Sequence, residues 1–230
     1  MANGFANELC FIALPYLAAF IFLLGIILRY RLIRDSWASF SAQFPENHKH
    51  SWASAPFRYS LITVLVGHFV AFLVPQQILA WNSRPARLYI LEITALIFGL
   101  LALVALVGAI FSGAGVSKGR EVANGFDWVV MMLLLVQIAC GVCVAVFYPW
   151  GSSWFAAAIA PYLWSLVRFK PALGYVALMP VLVRMHVVLA YVLIVVAPFT
   201  RLVHVLIAPN PYLWRRSQAV QWVRASKEAV

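Results

Sequence analysis

The apolar positions of this chain run together in long blocks and do not alternate at the strand period of two. A bilayer core about 30 Å thick takes about 20 apolar residues in a helix. Five blocks fit that length, from about Leu9 to Leu28, Phe57 to Val74, Leu88 to Phe111, Trp128 to Phe147 and Pro180 to Ile207. The short alternating segments of a membrane barrel are absent. The pattern predicts an all-α fold class: an integral membrane bundle of five transmembrane helices, with the two termini on opposite sides. A sixth apolar stretch, Trp154 to Leu166, is too short to cross and rich in aromatics, so it is expected to lie along one membrane interface.

The polar positions between the blocks orient the bundle. Arg29, Arg31, Arg34 and Lys49 occupy the first loop, Lys118 and Arg120 the third, and Arg215, Arg216, Arg224 and Lys227 the tail, ten in all. Arg84 and Arg87 in the second loop with Arg168 and Lys170 in the fourth make four on the other side. Basic residues accumulate in loops that stay inside the cell. The N-terminus is therefore expected outside and the C-terminus cytoplasmic, with a membrane domain over 1–208 and a cytoplasmic tail over 209–230.

Composition agrees with that picture. Hydrophobic residues make up 64% of the chain and charged residues 10%, with a mean hydropathy of +0.91, against roughly 45–50% and 25% in soluble domains. The net charge of +10 would point to nucleic acid in a soluble protein; here the loops account for it, and no nucleic-acid partner is expected. Cys10, Cys140 and Cys143 lie in apolar runs. The Cys140-Gly141-Val142-Cys143 spacing stands without a second pair to complete a metal site, and reads as small packing residues in a helix. Met1 to Glu8 lacks a basic start and no small-residue cleavage site follows, so no signal peptide is expected.

The histidines carry the candidate chemistry. His48 and His50 sit in the polar stretch Pro45 to His50 and read as solvated loop. His68, His186 and His204 fall within predicted spans, where an ionisable side chain is expensive and points to function. At 1.5 Å per residue, His68 lies roughly 16 Å up the second span from Phe57 and His186 roughly 9 Å into the fifth from Pro180, so both fall in the outer half and can face one another. His186 and His204 are 204 − 186 = 18 residues apart, five whole turns and roughly 27 Å along one helix face. Two helices offering imidazoles at matched depth suit a low-spin b-type haem, with one neutral nitrogen on each face of the iron. A hydrogen bond between helices is the plainer alternative. A zinc site would want four close ligands, which these spans do not supply.

Val66-Gly67-His68-Phe69, Arg184-Met185-His186-Val187-Val188-Leu189 and Pro198-Phe199-Thr200-Arg201-Leu202-Val203-His204, with Pro15-Tyr16, Leu28-Arg29-Tyr30 and Val136-Gln137, make the chain resemble the cytochrome b (gamma) subunit of membrane-bound respiratory nitrate reductase. The resemblance covers nearly the whole chain. It implies a five-helix quinol-dehydrogenating subunit with two b haems, one near each surface, in the bacterial or archaeal cytoplasmic membrane. Electrons would pass to an iron–sulfur beta subunit and then to a molybdenum alpha subunit docked on the cytoplasmic tail; this chain would not itself act on nitrate. Electron flow in the reverse direction, during nitrite oxidation by a related molybdoenzyme, fits the same arrangement.

Carried over residue by residue, His68 and His186 match the ligands of the outer haem and His204 one ligand of the inner haem. The family's fourth histidine stands ten residues before His68, and position 68 − 10 = 58 holds Arg58. A protonated guanidinium has no lone pair for iron. The inner haem would then be absent, five-coordinate on His204, or completed by Met131, Met132 or His50, and the reading favoured here is one bis-histidine haem with the inner site empty or altered. Arg87 aligns with a family lysine at the quinol site, where Gly67 and Arg184 also lie; it would orient the quinol, since it cannot take its proton at ordinary pH. An interfacial arginine with no such role is the alternative. Glu92 at the same level would relay protons, Gly67 would allow close approach of a ring, and Arg184 would hold a haem propionate. Arg201, one turn before His204, reads as an anchor of the inner helix end or a contact to a partner.

Two other classes compete: a haem-free membrane anchor or assembly protein, which a reduced-minus-oxidised spectrum would separate, and a transporter, disfavoured by five spans without inverted halves.

Overall fold

Prolines and glycines set the boundaries of the helices. In a computed structural model of the chain, residues 2–33, 54–111 and 125–199 are described. Helix α1 runs through Ala2–Glu8, a π-helical turn at Leu9–Ala13 and Leu14–Ile33. Helix α2 spans Ser54–Leu73, and Pro75 then opens the short α3, Pro75–Asn82. Helix α4 is Pro85–Phe111 and α5 is Gly125–Phe147. Helix α6 runs through Gly151–Trp154, a second π-helical turn at Phe155–Ile159 and Ala160–Val167. After a single turn, α7 (Gly174–Ala177), Pro180 leads into α8, Val181–Val196, which tightens to a 3₁₀ turn at Ala197–Phe199. No strand occurs among the described residues.

Five of these helices are long and apolar enough to cross a membrane, over Gly4–Leu28, Pro56–Leu73, Pro85–Phe111, Trp128–Phe147 and Val181–Phe199. They match the predicted blocks within a few residues at most ends. Around the bundle the neighbours run α2, α4, α5, α8, α1. The outward side chains are apolar, Ile90, Val104 and Phe20 among them, as expected of helices whose solvent is lipid. Close approach replaces polar glue at one contact: a Cβ on Gly25 of α1 would stand 2.5 Å from Pro198 Cβ, so only glycine lets the two segments meet.

Helix α6 is too short to cross, as predicted, and one of its faces packs into the bundle. Its face Ala156, Ile159, Ala160, Tyr162 and Leu166 is buried, and Tyr162 is 0% exposed. The physical reason is a set of hydrogen bonds to two spans. Tyr162 Oη donates to the Phe11 carbonyl of α1 (2.7 Å), Tyr16 Oη of α1 donates to the Leu166 carbonyl (3.0 Å), and Trp164 Nε1 donates to the Phe72 carbonyl of α2 (2.9 Å). α6 thus wedges between α1 and α2, and the buried cluster of Phe11, Ala18, Ile159, Tyr162, Leu166, Val176 and Tyr191 forms around it.

Both π-helical turns come just before a proline, Pro15 in α1 and Pro161 in α6. Proline lacks the amide proton that would bond the carbonyl four residues back and its ring crowds that carbonyl. Widening the turn relieves the crowding: Leu14 N–H bonds the Leu9 carbonyl and Ala160 N–H the Phe155 carbonyl, five residues back. The carbonyl that Pro15 leaves without its usual partner is that of Phe11, and Tyr162 supplies it. Burial pushes the Tyr162 phenol up from its usual range, which keeps it a donor.

Candidate functional site

His68 stands five residues before the end of α2 at Leu73, and His186 five residues after the start of α8 at Val181. Both are thus about 7.5 Å from the same end of the bundle, the end that carries α3, α6 and α7. The structure brings them together: their ring centroids are 6.5 Å apart, with the planes inclined at 46°. His68 Nδ1 lies 2.8 Å from the Val64 carbonyl. A carbonyl can only accept, so Nδ1 carries the proton and Nε2 keeps its lone pair. Phe155 of α6 meets the His68 ring edge-on at 5.5 Å and fixes its plane.

His186 is half-buried and its Nδ1 is enclosed without a hydrogen-bond partner. Gly141 of α5 makes room for the ring, because a Cβ there would lie 2.9 Å from His186 Cε1. A second orphan, the side-chain oxygen of Gln137, is buried on the same helix one turn earlier. The pair suits an iron between two imidazoles. Two metal–nitrogen bonds of about 2 Å and the half-widths of two imidazole rings add to roughly 6 Å, close to the 6.5 Å found. Among the described residues no three His, Cys, Asp or Glu gather around one point, so a two-ligand group suits this donor set better than a bare divalent ion.

The other candidate residues disperse. Arg184, two residues before His186, donates through Nη2 to Asn7 Oδ1 and lies 5.5 Å over the Phe11 ring, while its buried Nε has no partner. It ties α8 to α1. Arg87 at the start of α4 is exposed and stacks on Trp81 at 4.9 Å. A Cβ on Gly67 would meet nothing within 4 Å. Glu92 works as a helix cap: its Oε1 accepts the Ser152 amide (2.7 Å) and hydroxyl (2.5 Å) at the start of α6. Asn82 Nδ2 donates to Ser152 Oγ and Ser153 Oγ at 2.9 and 3.0 Å. This clamp holds α6, and through it Phe155, against His68.

Arg58 is half-buried on α2, ten residues or about 15 Å from His68. Met131 and Met132 lie on α5. His204, Arg201, His48, His50 and the tail 209–230 lie outside the described residues. The shared face expected for His186 and His204 likewise falls outside the described residues, which end at the 3₁₀ turn Ala197–Phe199.

Sequence reasoning singled out the two histidines but not the parts that seat them. Gly141 was absorbed into the Cys140–Cys143 pattern, whose cysteines are half-buried and free; Phe155 and the Asn82–Ser152–Glu92 clamp carry no motif. The one legible signal was Pro161, which marks where α6 widens.

A family model described as "Nitrate reductase gamma subunit" matches residues 7–223. The nitrate reductase gamma chain of Bacillus subtilis is 30% identical over 206 residues, covering 88% of this chain and 92% of that protein. The respiratory nitrate reductase 2 gamma chain of Escherichia coli is 29% identical over 215 residues, covering 90% and 93%, and the respiratory nitrate reductase 1 gamma chain of the same organism 28% over 222, covering 94% and 98%. With five membrane-length helices and a match over almost its entire length, this chain belongs to the nitrate reductase gamma subunit family, the membrane subunit of an oxidoreductase complex.

Proposed function

We propose that the chain is the cytochrome b subunit that anchors a nitrate-reductase complex in the cytoplasmic membrane and takes electrons from quinol. The observation that carries this reading is the His68–His186 pair, 6.5 Å apart at matched depth. A haem b held there supplies reversible one-electron chemistry between a two-electron quinol and one-electron iron–sulfur carriers.

The protein's own part is binding and orientation. His68 presents Nε2 because Val64 holds its other nitrogen, a arrangement that fixes the ring of a metal-binding histidine and raises its basicity. Gly141 sets how far the His186 ring can retreat. Arg87 orients the quinol headgroup and stabilises charge as its protons leave, but accepts none itself. Arg184 positions the start of α8 through Asn7 and is close enough in sequence to His186 to meet a propionate. At the inner site the family resemblance carries over His204 but finds Arg58 in place of the second imidazole, which supports one bis-histidine haem per chain. The iron–sulfur and molybdenum subunits dock on the cytoplasmic tail from residue 209 onward, and nitrate is reduced there, away from this chain.

A reduced-minus-oxidised spectrum of the purified chain with haem quantified per polypeptide tests this. One low-spin b haem is expected; a haem-free chain would leave a plain anchor, and two haems would require an unconventional ligand opposite His204. Arg87→Ala should slow quinol turnover at unchanged haem content, and unchanged turnover would return Arg87 to an interfacial role.

A further inference from the structure

Helix α5 turns one face toward the rest of the bundle. Val130, Leu134 and Val144 are buried, and Gln137 and Gly141 complete the same stripe at the alternating three- and four-residue steps of a helix face. Apart from Trp128 at its edge and the two weakly bonding cysteines, Gln137 is the one side chain of the span Trp128–Phe147 with hydrogen-bonding groups. An amide at that depth is expensive unless it is bonded. Yet its side-chain oxygen is buried without a donor.

His186 shows the complementary lack. Its Nδ1 is enclosed without a partner, whereas Nδ1 of His68 has the Val64 carbonyl one turn back on its own helix. An imidazole that offers Nε2 to iron carries its proton on Nδ1 and needs an acceptor there. Helices α5 and α8 are neighbours, and the His186 ring sits over Gly141, one turn from Gln137. The Gln137 main-chain carbonyl comes up against that ring without bonding Nδ1; within α5 it already accepts the Gly141 amide. Ser60 of α2 also has a buried oxygen with no partner, but α4 separates α2 from α5 around the bundle.

We propose that Gln137 is the positioning residue for His186: its side-chain Oε1 accepts the Nδ1 proton across the α5–α8 contact and so fixes the tautomer that presents Nε2. For its effect on iron the inference rests on the haem reading; the hydrogen bond itself does not need haem. An acceptor on the far nitrogen makes the ring a stronger donor, which favours ferric over ferrous iron and lowers the reduction potential. The two ligands are then held differently, His68 by its own helix and His186 by a side chain from another.

The test uses the full chain purified with its haem. Gln137→Met keeps the length of the side chain and removes the acceptor, while Gln137→Glu keeps an oxygen at the same reach. In a redox titration Gln137→Met should raise the ferrous-to-ferric ratio about tenfold at fixed ambient potential, the low end of what losing an outer partner costs, or about 59 mV for one electron. Gln137→Glu should stay at or below the wild-type potential, with haem content and circular dichroism unchanged in both. An unmoved potential in Gln137→Met, or equal shifts in both variants, would overturn the proposal, the first by giving the bond to the main-chain carbonyl and the second by leaving Gln137 a packing role. A second reading comes from the haem-free chain labelled with ¹⁵N-histidine, where the His186 signal is identified by its loss in His186→Gln. Protonation on Nδ1 is expected, moving toward Nε2 in Gln137→Met; a signal indifferent to that substitution would overturn the bond. A wild-type chain that binds no haem would refute the haem reading alone, and the ring signal would still decide on Gln137.

Discussion

At the scale of single residues, the proposed haem site makes His68 and His186 one device, because an iron held low-spin between two helices would need both axial nitrogens. His68→Ala and His186→Ala are each expected to remove the same low-spin b spectrum, with no further loss in the double variant. Loss of different spectral species would break the pairing. Gly141→Ala is the subtler change: its methyl would press 2.9 Å from His186 Cε1, and such overpacking costs about 1–3 kcal/mol. The chain should stay folded while its haem content or reduction potential shifts; an unaltered spectrum and potential would mean that the His186 ring swings away freely. The histidines were legible in the sequence because an imidazole in an apolar span has few other reasons to be there. Gly141 was not, since its meaning arises only where α5 meets α8.

At the scale of elements, α6 decides how the site is closed. The sequence showed that Trp154 to Leu166 cannot cross a membrane; it did not show that Tyr162 would be drawn wholly inside. That insertion depends on a carbonyl made available by Pro15, some 150 residues away in α1, and no local periodicity records such a pairing. Tyr162→Phe removes the donor and leaves the buried Phe11 carbonyl without it, a loss of about 1–3 kcal/mol. A lower thermal midpoint of the purified chain would register it. Glu92→Ala removes the cap from the first turn of α6, which costs about 0.5–2 kcal/mol. Because Phe155 rides on the same helix, the Glu92 variant should also broaden or shift the spectrum of any haem at His68. A purely local effect, with melting lowered and the spectrum untouched, would uncouple the clamp from the site.

At the scale of the whole molecule, five spans were readable from hydrophobic blocks alone, and their ends were set within a few residues by prolines and glycines. Their order around the bundle was not, because lipid-facing and helix-facing apolar residues look alike in sequence. Arg58→His tests the inner site directly, and a second b haem per chain is the expected gain. No gain would show that the missing imidazole is not what limits that site. Deleting residues 209–230 should release the hydrophilic subunits from membranes while the five-helix core keeps its spectrum; retention of the complex would move docking to the first loop.

The two imidazoles of the pair are 186 − 68 = 118 residues apart in the chain. At a synthesis rate of roughly 5–20 residues per second, about 6 to 24 s pass between the emergence of the first and the second. Throughout that interval His68 has no partner, and α6, whose Phe155 abuts it, is made before α8. A haem centre at this pair, as proposed, would therefore assemble only after insertion of the last span, so a ribosome-stalled chain ending before Val181 should be membrane-embedded yet unable to retain haem through purification.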